Sequence, residues 1–263
     1  MECWSRLSLL ASYHGFAAAI ALIQADSSLA DPGPPALGTA DPGYDRIVQQ
    51  LIPGYASLAR LGVALLAASP LASGPDSSVL VAGCGTGAEL LEARAQRPDW
   101  RLTALDPAEE MLAVARTRLQ GQGSIDWRCS TVEELQAEAC FDGALAVLVL
   151  QALPDDGRKL AFLTALARSL RPGGQLLLVD LMKPERTPLQ AQIEVARRGF
   201  QLASGLKTTA DDPAFAMATA LTGGLHPIGL ARLTALVNAA GFGDPAPVFQ
   251  ALDFEGFLLQ KQT

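Results

Sequence analysis

The 263 residues carry 20 Lys and Arg against 27 Asp and Glu, a formal charge of −7, and 49% of them are hydrophobic. That length suits one α/β domain with a sizeable core and some additions, and the acidic balance argues against nucleic acid, whose phosphates need a basic face. Cys3, Cys84, Cys129 and Cys140 are scattered without metal-ligand spacing and suit a reducing cytoplasm, so no metal site is expected.

The apolar stretch 7–25 follows Glu2 and has only Arg6 as a flanking cation; Tyr13, His14 and Gln24 interrupt it. It is a poor signal core and too polar to span a membrane, and it reads as a helix packed on the domain or as an extension. Residues 31–43, DPGPPALGTADPG, form a Pro/Gly linker, which leaves 44–263 as the domain proper. YDRIVQQLIPGYASLARLGVALLA (44–67) reads as two helical pieces meeting at Pro53–Gly54–Tyr55, because proline cannot continue the first.

VLVAGCGTGAELLEA (79–93) is the most informative stretch. A β-prone run over 79–83 enters the tight turn Gly83–Cys84–Gly85–Thr86–Gly87, and a helix follows over 88–97. Such a turn presents backbone N–H groups at the positive end of the helix dipole. With no β-carbon at Gly83, Gly85 or Gly87, a ligand can lie against the backbone. The second strand, 101–105, ends at Asp106, about 20 residues on, where an acid receives ribose hydroxyls. Asp106–Pro107–Ala108–Glu109 is also a good start for a helix over 107–120, with Asp106 as cap and Pro107 at its first position.

A third strand over 124–129, a short helix over 132–138 and a fourth strand over 142–149 come next. A helix over 156–171 carries Leu160, Leu163, Ala167 and Leu170 on one face and stops at Pro172–Gly173–Gly174. The fifth strand, 175–181, leads to a helical insertion at about 188–225. A helix over 227–240 and strands over 246–251 and 253–260 complete the chain. Alternating strands and helices predict a doubly wound, Rossmann-like α/β fold with helices on both faces and a mostly parallel sheet. Its ligand site lies across the carboxyl ends of the strands, where Thr131 and Val132 would face a base. Cys129 and Cys140 are expected in the core and Cys84 in the turn.

The turn is not the G-x-G-x-x-G of dinucleotide enzymes. Gly83–Cys84–Gly85–Thr86–Gly87, LTALDPAEEMLAVAR (102–116) and FDGALAVLVLQALPDDGRKLAFLTALARSLRPGGQLLLVDL (141–181), in that order, resemble the motifs of class I S-adenosylmethionine-dependent methyltransferases. IPGY (52–55), LQALP (150–154) and AGFGDPAPVFQALDFEGFLLQ (240–260) are nearest in pattern to the branch containing carboxy-S-adenosylmethionine synthase. The resemblance implies a seven-stranded sheet with an antiparallel C-terminal strand, S-adenosylmethionine as cofactor and methyl transfer to a small molecule. It also implies that Gly83, Cys84, Gly85, Gly87, Asp106, Pro107, Thr131, Val132 and Val147 line the cofactor site, with Tyr55 at its methionine end. Tyr55 packing a helix junction is the plainer alternative.

The chain departs from those patterns in three places. Val81 stands where many members have an acid for the cofactor's ammonium, which leaves backbone carbonyls near Gly83 and Val147 to take it. Val147 stands where the synthases have Asn. Ala214, Phe215, Ala216 and Met217 stand where the synthases place the arginine that pairs an extra carboxylate, and a buried carboxylate without a cation is disfavoured. The chain therefore reads as a user of ordinary S-adenosylmethionine, with cofactor synthesis and non-catalytic cofactor binding as the alternatives. Phe200, Leu202, Leu206, Phe215, Met217, Leu221 and Leu225 suggest an apolar lid for a hydrophobic acceptor, or core, or a homodimer surface. His226 is a weak candidate for a general base, a turn histidine being the plainer reading. Nucleic-acid and membrane partners are not expected.

Overall fold

The structure, a computed structural model, describes residues 42–185, 187–206 and 224–263. Two compact units emerge: one comprises the chain up to Pro53 with Pro188–Leu225, the other Gly54–Thr187 with His226–Thr263. In the first unit, helix α1 (Pro42–Leu51) contacts helix α6 (Gln190–Ala203). The expected lid residues Phe215, Met217 and Leu221, like Ala214–Met217 as a group, lie outside the described residues.

The second unit is built on seven strands: β1 (Ser78–Ala82), β2 (Arg101–Leu105), β3 (Ile125–Arg128), β4 (Phe141–Val147), β5 (Leu170–Leu181), β6 (Ala246–Ala251) and β7 (Phe254–Gln260). Their spatial order is β3-β2-β1-β4-β5-β7-β6. β1 runs parallel to both β2 (Val79↔Leu102) and β4 (Val79↔Gly143), whereas β7 pairs antiparallel with β5 (Leu177↔Leu258) and β6. The chain thus winds outward from β1 towards β3 and then restarts at β4 on the other side. That reversal opens a crevice at the carboxyl ends of β1 and β4.

Helices α2 (Tyr55–Ala67), α3 (Ala88–Gln96) and α4 (Glu109–Arg118) cover one face, and α5 (Arg158–Ser169) and α7 (Leu230–Ala240) the other. The first face buries Leu58, Leu66, Leu90 and Leu112, and the second Leu163, Leu166, Leu233 and Val237. Both faces of the central strands are covered, which is why β1 reads as an unbroken apolar run, with Val81 buried among core side chains.

Four expectations need correction. The stretch 132–138 forms no helix. The Thr131 N–H does donate to Glu134 Oε2 (3.1 Å), a helix-start contact. However, Ala139 adopts φ +49°, and Ala139 and Cys140 donate to Arg168 and Ser169 carbonyls, drawing the chain out before a helix so short can propagate. Helix α4 begins at Glu109 rather than 107, because the Asp106 carboxylate takes the Ala108 N–H (2.9 Å) and holds Pro107–Ala108 in a turn. Helix α5 ends at Ser169, so Leu170 is a strand residue and Pro172–Gly173–Gly174 lies within the span of β5. Cys129 and Cys140 are exposed, at the end of edge strand β3 and in the turn before β4; Cys84 is buried.

Candidate functional site

The three turn glycines do three different things. A β-carbon on Gly83 (φ +68°) would lie 2.4 Å from Val149 Cγ2, so this glycine lets the β4 exit close on the turn. One on Gly87 (φ +88°) would meet Leu119 Cδ1 at 3.0 Å and Ala115 Cβ at 3.2 Å, so that glycine serves the packing of α3 against α4. One on Gly85 (φ +51°) would meet nothing within 4 Å. Gly85 alone therefore offers bare backbone to open space, as a bound ligand requires.

Asp106 ties the two halves of the signature together. The Gly83 and Cys84 N–H groups both donate to the Leu105 carbonyl (2.8 and 2.9 Å), which seats the turn on the end of β2. The Gly85 N–H then donates to Asp106 Oδ2 (2.9 Å), and Oδ1 takes the Ala108 N–H. The carboxyl is buried, which pushes its pKa up to about 6, while the two N–H donors pull it back. Each oxygen keeps a second lone pair for a ribose hydroxyl. Burial also drives the Cys84 thiol up, which leaves it protonated and a poor nucleophile.

The other expected residues stand around this centre. Pro107 is half-buried and its carbonyl faces Cys129 Sγ (3.7 Å). Thr131 is half-buried and Val132 buried, both just beyond β3 on the neighbouring strand end. Val147 ends β4. Tyr55, at the start of α2, packs against the core cluster that contains Val79 and Val81. The His226 side chain is exposed, while its N–H donates to the Gln151 carbonyl (2.7 Å) beyond β4. Among the described residues, no group of three His, Cys, Asp or Glu side chains could hold a metal ion, and no single helix is long and apolar enough to cross a membrane.

A polar cluster beyond β4 is not among the residues the sequence predicts for the site. Lys159, Asp180 and Gln151 are all buried, next to the 3-10 turn Leu150–Ala152. Their signal was present, since Lys159 shares a helical face with Phe162, Leu163 and Leu166, where a charge is out of place.

This geometry has counterparts. Residues 79–174 match the family described as "Methyltransferase domain". The ubiquinone biosynthesis O-methyltransferase of Xanthomonas campestris pv. campestris (strain B100) is 38% identical over 117 residues, 43% of this chain and 46% of that protein. Its namesake in Methylocella silvestris is 32% identical over 176 residues, 66% of this chain and 62% of that protein. These matches support a class I S-adenosylmethionine-dependent methyltransferase domain over residues 79–174. The match spans about half of the first of these relatives and under two thirds of the second. Human N-acetylserotonin methyltransferase shares the fold, with a TM-score of 0.55 at 18% identity over 84% of this chain and 55% of that one. The matched segment runs from the first residues of β1 to Gly174, so this methyltransferase domain contains the glycine turn, Asp106 and the polar cluster as far as Lys159.

Proposed function

We propose that the protein binds S-adenosylmethionine at the β1/β4 crevice and transfers its methyl group to a hydroxyl of a small molecule with an apolar body. The observation that carries this reading is Gly85, bare of neighbours and hydrogen-bonded to the buried Asp106. The curated relatives' name, O-methyltransferase of ubiquinone biosynthesis, favours a phenol or quinol acceptor. In this reading the protein works in the cytoplasm, alone or as a homodimer, without nucleic acid or membrane.

The residues fit the cofactor. Asp106 would accept both ribose hydroxyls, and the turn N–H groups would line its path. Thr131 and Val132 would face the adenine, with Pro107 alongside. Carbonyls near Gly83 and Val147 would take the ammonium in place of the acid that Val81 is not, with Tyr55 at the methionine end. The bound sulfonium supplies an activated methyl with a good leaving group. What the protein must add is alignment, for which orientation can supply roughly 7–11 kcal/mol. A hydroxyl acceptor must also lose a proton, and His226, tied to the β4 exit through its backbone, is the candidate acceptor of it.

Methyl-labelled S-adenosylmethionine incubated with a panel of phenols and quinols tests this directly. Label on oxygen, lost in His226→Ala, is the expected result. Label on nitrogen or carbon acceptors only would overturn the choice of acceptor, and release of a carboxylated cofactor would move the function to cofactor synthesis.

A further inference from the structure

Residues 148–151, immediately after β4, are pinned to β5 and its surroundings by more bonds than a short connection needs. Leu148 has φ +60°, a left-handed conformation that side-chain-bearing residues adopt only when their surroundings enforce it. Its N–H donates to the Val179 carbonyl (2.7 Å). The Gln151 N–H donates to Asp180 Oδ1 (2.9 Å), and Gln151 Oε1 accepts the Leu181 N–H (2.7 Å). Lys159 Nζ donates to the Leu150 carbonyl. Asp180, Lys159 and Gln151 are 3%, 1% and 9% exposed. Buried charges of this kind are costly, and apolar residues would pack this core more simply. The segment they fix ends on the glycine turn, because Val149 fills the space that Gly83 leaves.

We propose that Asp180, acting with Gln151 and Lys159, is a positioning residue for cofactor binding: it holds Leu148 left-handed, so that Val149 seats on Gly83 and the backbone of 147–149 keeps the register that the cofactor's amino-acid end requires. This rests on the methyl-donor reading above. Burial holds the Asp180 proton more tightly than usual, opposed by the Gln151 N–H, Lys159 and the Leu150 N–H. The Gln151 N–H bond to Oδ1, at 2.9 Å, is the contact that ties Asp180 to the end of the segment.

Titration calorimetry with S-adenosylhomocysteine, paired with a thermal melt of each variant, separates the possibilities. If the wild-type protein does not bind, the methyl-donor reading fails first. Given wild-type binding, Asp180→Ala should weaken it about tenfold, whereas Asp180→Asn, whose Oδ1 still accepts the Gln151 N–H, should stay within about threefold. Adding Leu148→Gly to Asp180→Ala should recover most of the loss, since glycine takes φ +60° freely. A cluster that merely stabilises the fold would lower the melting temperature and leave Kd alone. Wild-type Kd in folded Asp180→Ala, or no recovery on adding Leu148→Gly, overturns the proposal. Should Asp180→Ala not fold, Leu148→Val decides: its β-branch disfavours the left-handed form, so about tenfold weaker binding is expected, and wild-type binding overturns the proposal.

Discussion

Asp106→Asn is the most instructive substitution, because it keeps the side chain's shape and removes its charge. In the wild type each carboxylate oxygen holds one backbone N–H at 2.9 Å and keeps a lone pair for a ribose hydroxyl. A hydrogen bond to a charged acceptor contributes about 1 kcal/mol more than one to a neutral acceptor, so two hydroxyls amount to about 2 kcal/mol, or about thirtyfold in Kd. One backbone N–H will also meet an amide NH2 instead of an oxygen, a cost of about 1–3 kcal/mol that falls on stability. Because Asp106 is raised to about 6 when folded, it holds its proton more tightly there than when unfolded. Folding stability therefore falls as pH rises from about 4 to about 6, by up to about 3 kcal/mol, whereas affinity for a hydroxyl donor rises across the upper part of that window. Calorimetry with S-adenosylhomocysteine should thus show wild-type affinity climbing through pH ~6 and flat above it, with the Asn variant flat throughout. At about pH 5 the two should nearly coincide. An equal pH dependence in both proteins would refute the assignment of ribose binding to the ionised carboxylate.

The glycines divide the remaining effects. Gly85→Val should melt cooperatively yet bind at least about a hundredfold more weakly, as its side chain enters the ligand's space; retained binding in the folded variant would place the ligand elsewhere. Gly87→Val should instead lose roughly 1–3 kcal/mol of stability, through overpacking against Leu119 and Ala115, which a thermal melt will register. Asp142→Ala should cost about 2 kcal/mol and leave Kd unchanged, because Asp142 holds the Ser78 N–H and Arg171 at the far end of β1 from the site. S-adenosylmethionine should outcompete its carboxylated analogue about tenfold or more, since Ala214, Phe215, Ala216 and Met217 supply no cation; preference for the analogue would reopen cofactor synthesis.

The central strands were legible because both faces of each are covered, so β1 and β4 announce themselves as short apolar runs closed by glycine or polar residues. The glycine turn and Asp106 were legible for the same local reason. What each glycine does was not, because Val149, Ala115 and Leu119 meet the turn only through tertiary packing. Residues 132–138 read as helix because Glu and Leu favour it locally, while Ala139 and Cys140 just beyond are committed to bonds with the end of α5. Cys129 misled because an edge strand leaves one side open. Asp180, Gln151 and Lys159 come from β5, the β4 exit and α5, and no spacing joins them until the sheet forms.

The most direct test of the account is titration of the purified protein with S-adenosylmethionine and, separately, with NAD. Saturable one-to-one binding of S-adenosylmethionine, abolished by Gly85→Val in a protein that still melts cooperatively, is the predicted result. Binding of NAD, or of neither ligand, would contradict it.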